Sequence, residues 1–309
     1  MKFGRLGPVG NEIPVAVIDD RVLDLRSITS DIDGLFLAAD PVRIVRRNRA
    51  VLPTLPGAGV MRIGAPIARP GAVYCIGMNY SAHVRESRSD PPQRIVVFMK
   101  SPSALCGPDD ELVLPQGSSK VDWEVELGVV IGREAWQLAS DADPGEHIVG
   151  YLAANDVSER HWQSEFSGGQ WSLAKSAPGF LPLGPWLVPA DSFDAHDARL
   201  RSFVNGDPRQ DSRTSDMIFG VDRIIRDLSQ FVRLEPGDVV LTGTPEGVAL
   251  SGRFSYLQPG DVVVVRIDGL GEQTRTVRSA VEPRTSQCDP SAPSCAEPLT
   301  LPSNRHRQG

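Results

Sequence analysis

Two glutamates, Glu124 and Glu126, stand two apart in "DWEVELGVVIG", which runs from Asp122 to Gly132. On a strand, residues i and i+2 point to the same side, with Cα atoms about 6.5–7 Å apart. Glu124 and Glu126 would then share a face, and Trp123, Val125 and Leu127 would take the other. Like charges on one face beside a core raise each other's pKa unless something positive lies between them. The pair fits two readings: a solvent-facing pair on an exposed strand, or two ligands bridging a divalent cation. Asp156 ends the apolar run of "IVGYLAANDVSER", thirty residues after Glu126, a suitable distance for one strand returning beside another. Taken alone, Asp156 also suits a helix or turn cap for "VSERHWQ". Three carboxylates at strand ends would suit a hard, oxygen-seeking ion such as Mg²⁺, Mn²⁺ or Ca²⁺. No nearby Cys/His cluster argues for zinc.

"GMNYSAHVRES" places His83 three residues before Glu86. On a helical turn the two share a face and can touch. A histidine oriented by a carboxylate is a standard general base, although such a pair is also an ordinary surface contact. The polar, proline-containing "SRSDPPQR" that follows reads as a mobile flap. His147, His161 and His196 sit in less suggestive contexts, and His306 is near the C-terminus. Lys175 is flanked by Leu173, Ala174 and Ala177. It either snorkels outward or serves a negative partner. "VVLTGTPEGV" resembles an anion-holding turn and equally a plain tight turn; it lacks the lysine and spacing of a phosphate-binding P-loop. "NGDPRQDSRTSDM" reads as a loop.

These residues need a scaffold of short strands. Gly (29) and Pro (26) are both abundant, which favours turns over long helices. Strand-like runs recur: "AVYCIG", "IVVFMK", "ELVLP", "VELGVVIG", "IVGYLAANDVS", "PWLVPA", "RLRSFVNG", "DVVLTGTP" and "DVVVVRIDG". The clearest helix is "TSDMIFGVDRIIRDLSQFV", with Thr214 or Ser215 as its cap and Ile218, Val221, Ile224, Ile225 and Leu228 at helical spacing. The expected class is mainly β (α+β). Residues 1–70 read as a small N-terminal α/β module with a short helix or two, and residues 71–283 as the main domain. Residues 284–309 form a Pro/Ser-rich tail expected to be disordered or draped over the surface.

Composition excludes several functions. Lys and Arg total 32 against 39 Asp and Glu, a net charge of −7 that disfavours non-specific nucleic-acid binding. No apolar run approaches the roughly 18–20 residues of a membrane span, and the N-terminus shows no signal-peptide pattern. Cys75, Cys106, Cys288 and Cys295 form neither a CxxC pair nor a disulfide framework, so a reducing cytoplasm is the expected setting.

In order along the chain, "GMNYSAHVRE", "VVFMKSPSALCGPDDELVLP", "KVDWEVELGVVIG", "AANDVSERHWQ", "QWSLAKSAPGFLPLGPWLV" and "LEPGDVVLTGTPEGV" strongly resemble the fumarylacetoacetate hydrolase family, in particular bacterial members acting on 2-oxo acids. The likeness covers about residues 71–281. It implies a mixed β-sandwich roll with a small N-terminal domain, usually as a homodimer. It implies Mg²⁺ or Mn²⁺ held by Glu124, Glu126 and Asp156, with His83 and Glu86 as the water-activating dyad on a lid. Lys175 would meet the reacting carbonyl, and Gln163, Thr244 and Gly243 would contact substrate. The implied reaction is hydrolysis of a carbon–carbon bond in a 2,4-dioxo acid such as an acylpyruvate, the leaving carbanion being held as a metal-bound enolate. Oxaloacetate-type decarboxylation, isomerisation or hydration of an unsaturated 2-oxo acid, and a non-catalytic role are the alternatives. One departure is local: many relatives carry an Asp where this chain has Pro178, which would alter the pocket floor near Lys175.

Overall fold

The computed structural model describes residues 1–280. The expected 284–309 tail therefore lies outside the described residues, as do Cys288, Cys295 and His306.

The apolar runs assemble into a six-stranded sheet. Its order is Val188–Pro189, Ile148–Asn155, Val125–Ile131, Val239–Leu241, Val73–Gly77 and Val96–Lys100. The Val125–Ile131 strand is buried at every position. It therefore lacks the polar alternation of a half-exposed strand, because both its faces meet a core. Val125, Leu127, Val129 and Ile131 pack into one cluster with Val221, Ile224, Ile225 and Leu228 of the Val221–Ser229 helix. Val130 faces a second cluster with Phe3, Leu23, Leu37 and Trp123. Glu126 lies on that second face, two residues from Gly128, where a Cβ would fall 2.4 Å from Leu152 Cδ1.

The sheet is antiparallel apart from the parallel pairing of Val239–Leu241 with Val73–Gly77. This connectivity has a functional result. The start of the glutamate strand lies opposite Asn155, and the C-terminal ends of Val239–Leu241 and Val73–Gly77 point the same way. Glu124, Asp156, the "TGT" turn and the "GMNYS" loop thus emerge at one end of the sheet.

The N-terminal sheet, Arg21–Asp24, Ile13–Ile18, Lys2–Leu6 and Ile63–Gly64, is joined to the six-stranded sheet by reciprocal Phe3–Leu187 backbone bonds of 2.8 and 2.9 Å. Two helices follow its hairpins, Gly34–Ala38 and Pro41–Asn48, each with an aspartate accepting a backbone N–H at its start. Met1–Ser279 forms one compact unit. The mainly β, α+β expectation holds: among the described residues the longest α-helix has nine residues.

Two local expectations are corrected. The best helix begins at Val221, not near Thr214. Thr214 Oγ1 instead accepts from Ala198 N and Ser215 Oγ reaches Asp197, so neither hydroxyl caps it, and Ile218 lies outside. The supposed loop "NGDPRQDSRTSDM" supplies a strand, Asp207–Arg213, paired with Arg199–Val204 across an Asn205–Gly206 turn. Both turn residues have positive φ (55° and 84°), which Asn-Gly adopts readily in tight hairpins. That hairpin belongs to a five-stranded sheet with Val262–Ile267, Gly271–Arg278 and Leu112–Val113.

Asn79 ties the loop before His83 to the end of the sheet. Its Nδ2 donates to Thr242 O (2.8 Å) and Phe219 O (3.0 Å), and its Oδ1 accepts from Phe219 N (2.9 Å). The side chain is fully buried, and each unsatisfied partner left behind would cost about 1–3 kcal/mol. Asn79→Ala is expected to lower stability by roughly 3 kcal/mol or more, read as a lower urea midpoint with an unchanged slope.

Candidate active site

The continuous strand expected through Asp122–Gly132 is interrupted. Val121–Asp122 pairs with Ser158–Glu159, the ladder restarts at Val125, and Trp123–Glu124 forms the step between them. The step is stitched to the end of the return strand: Glu124 N donates to Asn155 Oδ1 (2.8 Å), and Asp156 N donates to Glu124 O (2.8 Å). Glu124 and Glu126 therefore still converge, and Asp156 is drawn in beside them. Asp156 caps no helix. Ligand oxygens of the three carboxylates lie within 4.8 Å of one another, and all three residues are buried.

Three buried cations share this space. Lys175 Nζ donates to Glu124 Oε2 (2.7 Å) and Asp156 Oδ2 (2.6 Å), so the lysine serves negative partners and does not snorkel. Lys100, at the end of Val96–Lys100, donates to Asp156 Oδ1 (2.6 Å) and Val157 O (3.1 Å). Arg160 donates to Asp122 Oδ2 (2.8 Å), Glu124 Oε1 (2.5 Å) and Gln163 Oε1 (2.9 Å). Sequence reasoning missed Lys100, Arg160 and Asp122. The signal available was a charge ending or following an apolar strand, in "VVFMK" and "AANDVSER".

Glu126 is the exception. Its Oε2 accepts the Gly243 N–H at 2.8 Å, and no cation pairs with it among the described residues. Burial, with Asp156 and Glu124 adding like charge, pushes its carboxyl well above the usual range. Glu124 behaves oppositely: burial raises it, but Lys175 and Arg160 outweigh burial and bring it down to about 2. Burial lowers the Lys175 ammonium, yet Asp156 and Glu124 outweigh that and hold it above the ordinary lysine value.

The "TGTPEG" turn does hold anions, and they are the protein's own. Gly243 (φ 97°) directs its N–H to Glu126, and Gly247 (φ 98°) directs its N–H to Glu86 Oε2 at 2.9 Å. The N–H of Gly243 is thereby engaged by Glu126, and Gly243 is not among the residues that line the cavity. A Cβ at Gly243 would also meet Asn79 Cβ and Ile76 O at 2.9 Å. Thr244 lines the cavity, with its hydroxyl donating to Val125 O (3.0 Å) and accepting from Gln210 Nε2 (2.8 Å). Gln210, buried on the unexpected hairpin strand, also accepts Val125 N at 3.0 Å.

His83 and Glu86 lie on the Ser81–Glu86 helix, with His83 Nδ1 3.9 Å from Glu86 Oε2. The two face each other without a hydrogen bond in this state. Glu86 is held by Gly247 N and by Arg253 Nη1 (3.0 Å). A cavity of about 280 Å³ brings together His83, Glu124, Glu126, Gln163, Lys175 and Thr244. Its remaining wall is mostly apolar: Ile76, Met78, Phe98, Trp171 and Leu250, with Ser87 and Ser89 from the stretch after the helix. Gln163 sits on a wide π-type turn, Trp162–Phe166. Pro178 does not line the cavity. It is exposed in a turn closed by Phe180 N to Ala177 O (3.0 Å), with Gly179 at φ 80°, so the expected change to the pocket floor is not present.

The family profile described as Fumarylacetoacetate (FAA) hydrolase C-terminal matches residues 72–278. The chain belongs to the fumarylacetoacetate hydrolase family. A protein of Burkholderia multivorans named only as a hydrolase is 41% identical over 285 residues, covering 91% of this chain and 100% of that protein. The 2-hydroxyhepta-2,4-diene-1,7-dioate isomerase of Mycobacterium marinum superposes with a TM-score of 0.69 at 31% identity, covering 91% of this chain and 100% of that one. The maleylpyruvate hydrolase of Sphingobium sp. SYK-6, solved with manganese(II) and pyruvate, gives a TM-score of 0.74 at 26% identity over 90% of this chain and 99% of that one. Structural relatives in this family thus include both hydrolases and isomerases. Among the described residues no helix is long and apolar enough to cross a membrane.

The donor set fits a divalent cation. It is all carboxylate oxygen, it is buried, and one member lacks a counter-charge. In the ion-free protein a raised Glu126 pKa favours the protonated carboxyl. That contribution to stability is present below the ordinary glutamate pKa and is lost as pH rises towards the raised value. A cation reverses the preference and displaces the proton, so its affinity should increase with pH. Adding Mn²⁺ at a hundredfold excess over its dissociation constant should stabilise the protein by about 2.7 kcal/mol. At one fixed Mn²⁺ concentration the Tm shift is expected to be larger at pH 8 than at pH 6, and to be reversed by EDTA. A shift independent of pH would place the ion away from Glu126.

Proposed function

We propose that this chain is a divalent-cation-dependent hydrolase that cleaves a carbon–carbon bond of a 2,4-dioxo acid. The observation that carries this is the convergence of the acidic triad, two of whose members, Glu124 and Glu126, line one cavity with His83 and the Lys175 ammonium. A bound Mg²⁺ or Mn²⁺, or alternatively Ca²⁺, held by Glu124, Glu126 and Asp156, would act as a Lewis acid and template for a 2-oxo acid. The relative solved with manganese(II) and pyruvate supports that choice of ligand class.

The protein's own groups supply the rest. His83 lines the cavity, and with its Nδ1 turned towards Glu86 the other ring nitrogen, Nε2, would take the proton from water. Glu86 lies on the Nδ1 side and is fixed by Gly247 and Arg253, so a small rotation of the His83 side chain would close the pair and orient the ring. Lys175, kept cationic by Asp156 and Glu124, stands where negative charge would develop on the attacked carbonyl. Gln163 lines the same cavity and, with its Oε1 held by Arg160, would offer its amide N–H groups to the same oxygen. Thr244 shapes the wall beside them. The assembly follows the family's usual homodimer, and its setting is the cytoplasm.

Isomerisation of an unsaturated 2-oxo acid is the second reading, favoured by the isomerase among the structural relatives. It would use His83 to move a proton between carbons, with no water consumed. Turnover of acylpyruvates in H₂¹⁸O separates the two. Hydrolysis releases a carboxylic acid that carries one ¹⁸O, whereas isomerisation releases no acid fragment. His83→Ala is expected to retain Mn²⁺ binding and lose roughly 10²- to 10⁴-fold in kcat. Glu124→Ala is expected to lose both metal and activity; unchanged metal content in that variant would sink the site assignment.

A further inference from the structure

Resting on the 2-oxo-acid function proposed above, we infer that the substrate carries a single carboxylate and an apolar tail, and that Phe98, Trp171, Met78 and Leu250 form the surface that selects it. The inference comes from a charge count and from the wall chemistry. The buried cluster contains three cations, Lys100, Arg160 and Lys175, and four carboxylates, Asp122, Glu124, Glu126 and Asp156, which differ by one negative charge. A divalent cation would turn that surplus into one positive charge. The carboxylate of a 2-oxo acid head would cancel it, and a second carboxylate would have nothing left to pair with.

No spare cation lies elsewhere on the wall. Among the described residues the cavity is lined by only two permanent cations, Arg160 and Lys175, each ion-paired with two carboxylates. Arg253, beside Glu86, is bonded to it at 3.0 Å, so that pair is neutral as well. An unpaired carboxylate placed in such a cavity loses its hydration without compensation.

The surface beyond the head group is built for apolar contact. Phe98 and Trp171 meet edge to face with centroids 5.4 Å apart. Trp171 reaches this position only because residue 77 is glycine: a Cβ there would fall 2.5 Å from Trp171 Cζ3. Met78 and Leu250 complete the surface. A cavity of about 280 Å³ lies near the small end of ligand pockets, about 300–1,000 Å³. It suits one compact aryl or alkyl tail.

The test measures binding, so it does not depend on turnover. Isothermal titration of Mn²⁺-loaded protein compares 4-phenyl-2-oxobutanoate with 2-oxoglutarate, which share the 2-oxo acid head and differ in the tail. Neither has the 4-oxo group needed for cleavage. The phenyl compound is expected to bind about tenfold more tightly or better. Equal or tighter binding of 2-oxoglutarate overturns the inference. Leu250→Arg, a change at a half-exposed position, is expected to narrow or reverse the preference by supplying the missing counter-charge. An unchanged ratio would refute the charge count as its cause. If the phenyl compound binds better but 4-phenyl-2,4-dioxobutanoate is not cleaved, the proposed hydrolysis fails and the tail preference stands.

Discussion

Four carboxylates and three cations packed into the end of a hydrophobic sheet are the constraint around which this molecule is arranged. Buried charges are tolerable only when paired with good geometry, and removing one partner typically costs about 3–5 kcal/mol. Apart from Glu126, which only the Gly243 N–H holds, the carboxylates are therefore fixed twice, once by an ion pair and once by the backbone. Glu124 is held by Lys175, by Arg160 and through its own N–H on Asn155. Asp156 is held by Lys100, by Lys175 and through its N–H on the Glu124 carbonyl. The sheet topology, the interrupted strand and the buried amides of Asn79 and Gln210 all keep these groups from drifting apart.

Within that network the asymmetry matters more than the balance. Glu124 is matched and ionises easily, whereas Glu126 is matched only by a backbone N–H. A network that were fully neutral would gain little from a cation. One carboxylate left without a counter-charge gives an entering ion something to neutralise, in the wall of a cavity that His83 and the Lys175 ammonium also line. Stability and function draw on the same few contacts.

Much of this could be read from the amino acids. The nine apolar runs became strands, and the two glutamates and Asp156 came together as their spacing suggested. The failures have physical causes. "NGDPRQDSRTSDM" looked like a loop because its strand is mostly polar and half-exposed, although Asn-Gly is a strong hairpin signal. The helix over Val221–Ser229 was started too early because Thr214 and Ser215 resemble caps, while their hydroxyls are taken by Ala198 and Asp197. Lys100 and Arg160 went unnoticed because a buried cation is recognisable only once its partner is near, and those partners lie 56 and 36–38 residues away. Pro178 looked consequential next to Lys175, but the chain turns outward there.

The short turn after Leu241 sets a fixed ruler inside the site. Gly243 grips one carboxylate and Gly247 another, and both glycines hold backbone angles that other residues adopt poorly. The Glu126 carboxylate and the Glu86 carboxylate beside His83 are thereby mounted on one short stretch of backbone. The spacing between those two carboxylates becomes a property of the backbone. Variation at such a site is then channelled into the far wall of Met78, Phe98, Trp171 and Leu250, where side chains can change without moving either carboxylate.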